Sequence, residues 1–313
     1  MLTVTSSDNG SFGFQWFPPG ASFVRWTRVA ETFRVATYNL ENYLNEPTET
    51  RPAKTAEAKA KVCEGISALK PDILALQEMG DLKTFEEFRQ ALASKGLNFP
   101  HWNHVTGFDT NIHVAVLSRF PFRAVHPHTN DSFLLDGRRF RVSRGFAEVE
   151  IAVGTNYTFT LITAHLKSKR PIGVADADEL RQEEAKVLRE KVDAVFAANS
   201  DARLIVLGDF NDTPDAKSTK TIIGRGKHKL VDTRPSERNG DVAGPSTRSH
   251  PSRAVAWTHF YAVQDTYSRL DYVLLSPLMA RDWVTNETFV LTLPGWGNAS
   301  DHRPLLATFS TGE

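Results

Sequence analysis

Short apolar runs that stop abruptly at polar, hydrogen-bonding residues recur along this chain, separated by longer stretches with helical spacing. Phe33 to Tyr38 is strand-like, Asp72 to Glu78 reads as a buried strand with its polar residues at the exit, and His113 to Ser118 as another. Phe146 to Val153 and Tyr157 to Ala164 predict a hairpin with Gly154-Thr155-Asn156 in the turn. Leu204 to Leu207, Tyr272 to Leu275 and Leu305 to Phe309 predict further strands. Residues 51–70, rich in Ala, Lys and Glu, predict a helix that ends before Pro71, and Thr84 to Ser94 and Asp178 to Ala198 predict two more. Residues 224–260 carry Gly, Pro, Ser, Arg and His throughout and predict loop.

Strands and helices interleave, yet several neighbouring strands are hairpins, which argues against a purely parallel sheet. The expected fold is α/β, with two mixed β-sheets packed face to face and helices outside. No internal repeat or low-complexity linker divides 32–313, so one domain is expected there. Residues 1–31 are irregular and hold Phe12, Phe14, Trp16, Phe17, Phe23 and Trp26. They are expected to be an appended segment that packs as edge strands or is poorly ordered.

Composition narrows the class only a little. Lys+Arg and Asp+Glu balance at 37 each, so no global field gathers polyanions, although a local basic groove is compatible with neutrality. Cys63 is the single cysteine, which rules out an intrachain disulfide and fits a reducing compartment. The first twenty residues lack the regions of a signal peptide, and no apolar run approaches the roughly 18 residues of a membrane span. The expectation is a chain with no membrane span, cytoplasmic by default, with export left open.

The polar exits of the strands carry the chemistry. In order they are Thr37-Tyr38-Asn39-Leu40-Glu41, Leu76-Gln77-Glu78, Thr163-Ala164-His165-Leu166, Gly208-Asp209-Phe210-Asn211-Asp212, Leu270-Asp271-Tyr272 and Ser300-Asp301-His302. Cleaving a phosphate ester needs positive charge on the phosphate oxygens, a water aimed in line and an acid for the leaving group. A hard, oxygen-ligated cation supplies the first. Glu78 and Asp301 are candidate ligands; taken singly, each is more readily a surface carboxylate. Asp209 and Asn211 can point to one side of an extended chain and hold a water against a phosphate, with an Asx-type turn as the alternative. Asn39 is a similar polar exit. His165 and His302, far apart in sequence, suggest one imidazole to orient water and one to protonate a departing oxygen; either alone could be structural. Asp271 could fix an imidazole tautomer.

This ordered set of six motifs resembles the endonuclease/exonuclease/phosphatase superfamily, which includes deoxyribonuclease I, apurinic endonucleases, inositol polyphosphate 5-phosphatases and neutral sphingomyelinases. The resemblance spans about residues 33–310, and the Gly208 and Ser300 motifs are its most specific parts. It implies a four-layer α/β sandwich, a catalytic domain over 32–313, and a site at one end of two packed sheets. It further implies that Glu78 binds Mg²⁺ or Mn²⁺ with Asn39 and Asp301 beside it. Asp209 and Asn211 would position the water or phosphate, and Asp271 would pair with His302. His165 resembles the histidine of the deoxyribonuclease I, phosphatase and sphingomyelinase branches, which disfavours abasic-site repair. The acid that supports this histidine in deoxyribonuclease I has no clear counterpart; Asp109 and Asn111 are the nearest candidates.

Arg144, after the basic run Arg138-Arg139-Phe140-Arg141, and Lys167, within Leu166 to Arg170, are candidate phosphate contacts, with a solvated charged loop as the alternative. Trp257, Tyr261 and Trp296 could stack on bases or simply pack. The resulting expectation is a Mg²⁺-dependent phosphodiesterase, a nuclease acting on DNA or nucleotides. A phosphatase or phospholipase-type phosphodiesterase acting on a small phosphorylated molecule or lipid headgroup is the alternative, and a non-catalytic binding module ranks last.

Overall fold

The computed structural model describes residues 3–6, 12–15, 32–237 and 255–312. The chain divides into two compact units, Met1–Ala30 and Glu31–Glu313. In the first, Thr3–Ser6 pairs antiparallel with Phe12–Gln15. Of the aromatics expected there, Trp16, Phe17, Phe23 and Trp26 lie outside the described residues.

The second unit holds two large sheets. Its principal strands are β1 (Thr32–Tyr43), β2 (Ile73–Met79), β3 (His101–Val105), β4 (His113–Ser118), β5 (Phe122–His128), β6 (Phe146–Val153), β7 (Tyr157–His165), β8 (Leu204–Asp209), β9 (Val231–Asp232), β10 (Ser236–Glu237), β11 (Asp271–Leu275), β12 (Trp283–Val290) and β13 (Leu305–Ser310). The seven-stranded sheet has the order β10-β12-β13-β1-β2-β4-β3, and the six-stranded sheet β9-β11-β8-β7-β6-β5. Both are mixed: β1 runs parallel to β2 and β7 parallel to β8, while their other central neighbours are antiparallel.

Alternation along the strands builds three apolar layers. Val35, Ala75, Leu161, Ile205, Leu207, Val273 and Leu305 point between the sheets. On the outer face of the seven-stranded sheet, Ala36, Leu74 and Leu76 pack against helices α1 (Ala56–Leu69) and α2 (Leu82–Ser94). On the outer face of the other sheet, Ile162, Val206 and Leu274 meet α3 (Ala177–Ala198) and α4 (Lys217–Ile223). This is a four-layer α/β sandwich. Among the described residues, no helix is long and apolar enough to cross a membrane.

Several boundaries shift for local reasons. The helix expected over 51–70 starts at Ala56, because the Thr55 side chain accepts from the Ala58 amide as its N-cap. Arg51 is thereby left in the preceding loop. The stretch 224–260 contains the short strands β9 and β10, and 238–254 lies outside the described residues. Helix α4 and strands β3, β5 and β12 have no counterpart among the expected elements.

Candidate active site

Strand register assembles the first half of the site. Parallel pairing sets His165 at the end of β7 opposite Asp209 on β8, and antiparallel pairing sets Asp209 opposite Asp271 on β11. All three share the parity of Leu161, Leu207 and Val273, so they continue the inner face beyond the apolar core. With neighbouring strands about 4.8 Å apart, they leave the sheet as a row. Gly208 makes this possible: its φ is 127°, and a Cβ there would stand 2.1 Å from the Ala164 carbonyl oxygen. Beyond the strand, the Asn211 amide N–H donates to Asp209 Oδ1 at 2.8 Å. The Asn211 side chain donates to Asp209 Oδ2 at 3.2 Å and to the Leu166 carbonyl at 3.0 Å.

The seven-stranded sheet supplies the other half by breaking its own regularity. Asn39 lies opposite Gln77 in the parallel β1–β2 pair. Simple alternation would send Glu78 to the helix side. Instead the register shifts on both edges of β2, and Glu78 adopts a left-handed φ of 60°, as do Glu41 (49°) and Asn42 (51°) on β1. Each such residue costs about 1–2 kcal/mol, so the surrounding bonds must hold it. Glu78 accepts from the Asn42 amide at 2.8 Å and lies 3.5 Å from the Asn39 side-chain nitrogen. Asn39 reaches across the sheets to donate to Asp209 at 2.9 Å, and Gln77 beneath it donates to Thr163 at 3.1 Å.

The Ser300 motif closes the cleft. Ser300 donates to the Asn39 carbonyl at 2.8 Å and accepts from the His302 amide at 3.0 Å. His302 Nδ1 stands 2.7 Å from Asp271, and its Nε2 is 3.7 Å from Asp209 and 3.9 Å from Asp301. Thr258 steadies Asp271 by accepting the backbone N–H groups of Leu270 and Asp271. On the opposite side, His165 Nε2 is 3.5 Å from Asp209 and 3.8 Å from Glu78. Asp209 is therefore approached by two imidazoles and two amides at once.

Burial pushes the Asp209 carboxyl up to about 7, with Asp271 adding to the rise and the His302 charge opposing it. Burial works against charge on His302, but the Asp271 and Asp209 carboxylates outweigh it and hold the imidazole well above its usual range. His165 moves the other way: burial first, then Arg144 and His302, drive it well below the ordinary histidine value. Its Nδ1 is buried with no hydrogen-bond partner. One imidazole is thus built to be charged and the other to be neutral.

The donors fit a hard divalent cation. Asn39, Glu78 and Asp301 offer oxygens, and ligand atoms of His259, Asp301 and His302 lie within 4.8 Å of one another, as do those of Asp209, Asp271 and His302. Glu41 is raised by burial and then by the facing Asp301 carboxylate, a crowding of like charge that a cation relieves. The Lys54 ammonium, 3.7 Å from Glu41, is itself lowered by burial.

Of the residues expected from sequence, Asn39, Glu78, His165, Asp209, Asn211, Asp271, Asp301 and His302 share this one cleft. Arg144 borders it, 3.6 Å from Asp109 and donating to the Leu166 carbonyl at 3.3 Å. Lys167 differs: its ammonium donates to the Ser168 and Arg170 carbonyls at 2.8 and 2.6 Å, a loop-closing arrangement. Asp109 bonds Arg144, Arg51 and the Asn111 amide, not His165. Trp257 packs its face on the Arg303 guanidinium at 3.3 Å and meets Trp296, so both serve packing, while Tyr261 is exposed. Arg51, 3.9 Å from Glu78, and His259, 3.5 Å from Asp301, are additional site residues. Neither sits at the end of an apolar run or within the six motifs that marked the eight cleft residues.

A family model described as the endonuclease/exonuclease/phosphatase family matches residues 36–302. No curated protein matches the chain by sequence. Among solved structures, the human Nocturnin catalytic domain is 18% identical with a TM-score of 0.61, covering 89% of this chain and 94% of that one. Truncated TDP2 from Caenorhabditis elegans is 18% identical with a TM-score of 0.58, covering 89% and 97%. Sphingomyelinase C from Streptomyces griseocarneus is 19% identical with a TM-score of 0.58, covering 90% and 100%. At these identities the likeness is one of fold.

Proposed function

The chain belongs to the endonuclease/exonuclease/phosphatase family, and from that premise we propose that it is a divalent-metal-dependent phosphodiesterase, a nuclease acting on DNA or nucleotides. The observation that carries this reading is the buried Asp209 carboxylate, met by Asn39, Asn211, His165 and His302 from both sheets. The same machinery serves phosphate esters generally; the substrate class is the finer part of the proposal.

Asn39, Glu78 and Asp301 would hold a Mg²⁺ or Mn²⁺ ion, which when bound supplies positive charge to the phosphate oxygens. Asp209 takes the proton of an attacking water as its oxygen forms the new bond to phosphorus. His302, held by Asp271 through Nδ1, gives its Nε2 proton to the leaving oxygen as the old P–O bond breaks. The proton on Asp209 can return to His302 across 3.7 Å, which restores the resting state. Neutral His165 and the Asn211 amide orient the phosphate and the water. Arg144 borders the substrate side; Lys167 shapes it by closing the loop through Arg170.

A paired assay tests the reading. With Mg²⁺, supercoiled plasmid, single-stranded DNA or bis-p-nitrophenyl phosphate should be cleaved, and EDTA should stop it. Cleavage of p-nitrophenyl phosphate alone would transfer the function to a phosphatase. No metal-dependent cleavage of any of these substrates would overturn the reading.

A further inference from the structure

A cleft of about 660 Å³ runs from Arg51 and Arg144, away from the acidic cluster, between two basic segments that are distant in sequence. One is the hairpin pairing Ser132–Leu135 with Arg138–Arg141; the other is the loop after His165. Arg51, Arg139, Arg141, Arg144, Lys167 and Arg170 all line it, against only Asp109 and Glu184. Both carboxylates are already engaged. Asp109 lies between Arg51 and Arg144, each 3.6 Å away. Glu184 is buried and accepts from the Ser143 amide and hydroxyl and from the Lys167 amide. The positive charge of Arg139, Arg141 and Arg170, all exposed, is therefore left facing the cleft.

An aromatic platform stands in the same place. Phe108 also lines the cleft and is 63% exposed, with the Arg141 guanidinium 5.7 Å from its ring centre. An exposed ring beside the Arg141 guanidinium suits a planar, anionic-backed group. Phosphate binding by guanidinium and base stacking on an aromatic ring are the two halves of single-strand recognition. A quaternary amine such as choline would meet repulsion from the same arginines.

We propose that this cleft is a subsite for one further nucleotide of the substrate, its phosphate held by Arg139 and Arg170 and its base laid on Phe108. The inference rests on the phosphodiesterase reading of the adjoining site, and assigns that site a substrate longer than a single phosphodiester. Neither the Arg139 hairpin nor Phe108 touches the reacting atoms, so both act on substrate choice and not on the chemical step.

The test uses the full chain with Mg²⁺ and compares a short single-stranded oligonucleotide, bis-p-nitrophenyl phosphate and a p-nitrophenyl phosphocholine ester. The variants are Phe108→Ala and the doubly reversed Arg139→Glu/Arg141→Glu, with thermal unfolding as a check that each folds. Phe108→Ala should raise KM for the oligonucleotide about tenfold, the loss expected for one stacking contact. The double reversal should raise it about a hundredfold and flatten its salt dependence. Both should cleave bis-p-nitrophenyl phosphate within about twofold of wild type. An unchanged oligonucleotide KM in both variants would overturn the subsite while leaving the phosphodiesterase reading intact. Wild-type preference for the phosphocholine ester would overturn it too. A wild type inert on every substrate would remove the phosphodiesterase reading, and the subsite with it.

Discussion

In the six-stranded sheet, His165, Asp209 and Asp271 stand side by side because β7, β8 and β11 keep regular register up to these residues, the last of β7 and β8 and the first of β11. In the seven-stranded sheet, Glu78 reaches the same cleft only because β1 and β2 lose register, and three residues with side chains turn left-handed. The regular half is dry: His165 and Asp271 are 1% exposed. The irregular half is more open, with Glu78, Glu41 and Asp301 all partly exposed. Proton transfer needs the fixed distances of the first arrangement. A hydrated cation that keeps some of its water suits the looser second one. The division of labour follows from how each sheet ends.

The largest effect should come from separating these halves by mutation. Asp209→Asn removes a proton-transfer group from the regular half and His302→Ala removes the one that the Ser300 loop brings to it; each should lower kcat by roughly 10²–10⁴-fold, with the fold intact. Glu78→Gln in the irregular half should also lose activity, by about 100-fold or more at low metal concentration. Raising Mg²⁺ or Mn²⁺ should restore a large part of the Glu78→Gln loss and none of the Asp209→Asn loss. Metal titrations of kcat/KM would show this directly; equal rescue of both variants would break the distinction.

The same contrast explains what the sequence could reveal. Buried strands with polar exits were legible because apolar runs such as Leu204 to Leu207 carry their own periodicity. The two-sheet, four-layer arrangement followed from those runs and the family resemblance, and the eight cleft residues lay at the ends of such runs or close to them. Arg51, Lys54 and His259 were invisible, because two lie in a loop and the third on a strand of three residues, too short to show a period, and their partners are brought near only by tertiary packing. The left-handed turn at Glu78 was equally invisible: alternation alone places its side chain on the wrong face. Lys167 was marked as a phosphate contact by charge alone, whereas its ammonium spends its hydrogen bonds on two carbonyls of its own loop.

A pair of backbone substitutions sharpens the comparison on stability. Gly208→Ala puts a methyl 2.1 Å from the Ala164 carbonyl at a φ that side chains avoid. Overpacking and strain together should cost about 4 kcal/mol or more, so the variant should unfold at markedly lower denaturant. Glu78→Gly is the mirror change. Relief of left-handed strain, about 1–2 kcal/mol, offsets the loss of the two hydrogen bonds from Asn42 and Asn39, about 1 kcal/mol each. Its unfolding midpoint should stay close to wild type while its metal response disappears. A large destabilisation by Glu78→Gly would show that the irregular half is held by Glu78 itself and not by its surroundings.

Two buried groups, one in each sheet, should also answer pH in opposite senses. In the six-stranded sheet, Asp209 is raised to about 7 from 3.8, chiefly by burial. A raised carboxyl contributes stability that is present in acid and lost as pH climbs through that range. In the seven-stranded sheet, His113 on β4 is buried and its imidazole is lowered to about 4, first by burial and then by His104, whose ring lies 4.9 Å away. Asp109 and Asp81 oppose that shift without reversing it. The native state resists a proton that the unfolded chain accepts below 6.5, so this contribution is present at neutral pH and lost as pH falls toward 4. By pH 5 the loss should be roughly 2 kcal/mol. Denaturant unfolding of the metal-free protein at pH 7.5 and 5 would therefore show two compensating slopes. His113→Asn should lessen the acid-side loss, which buried His165 shares, while Asp209→Asn should deepen it. If both variants kept the wild-type slope, the burial of these two groups would be exerting no control over stability between those pH values.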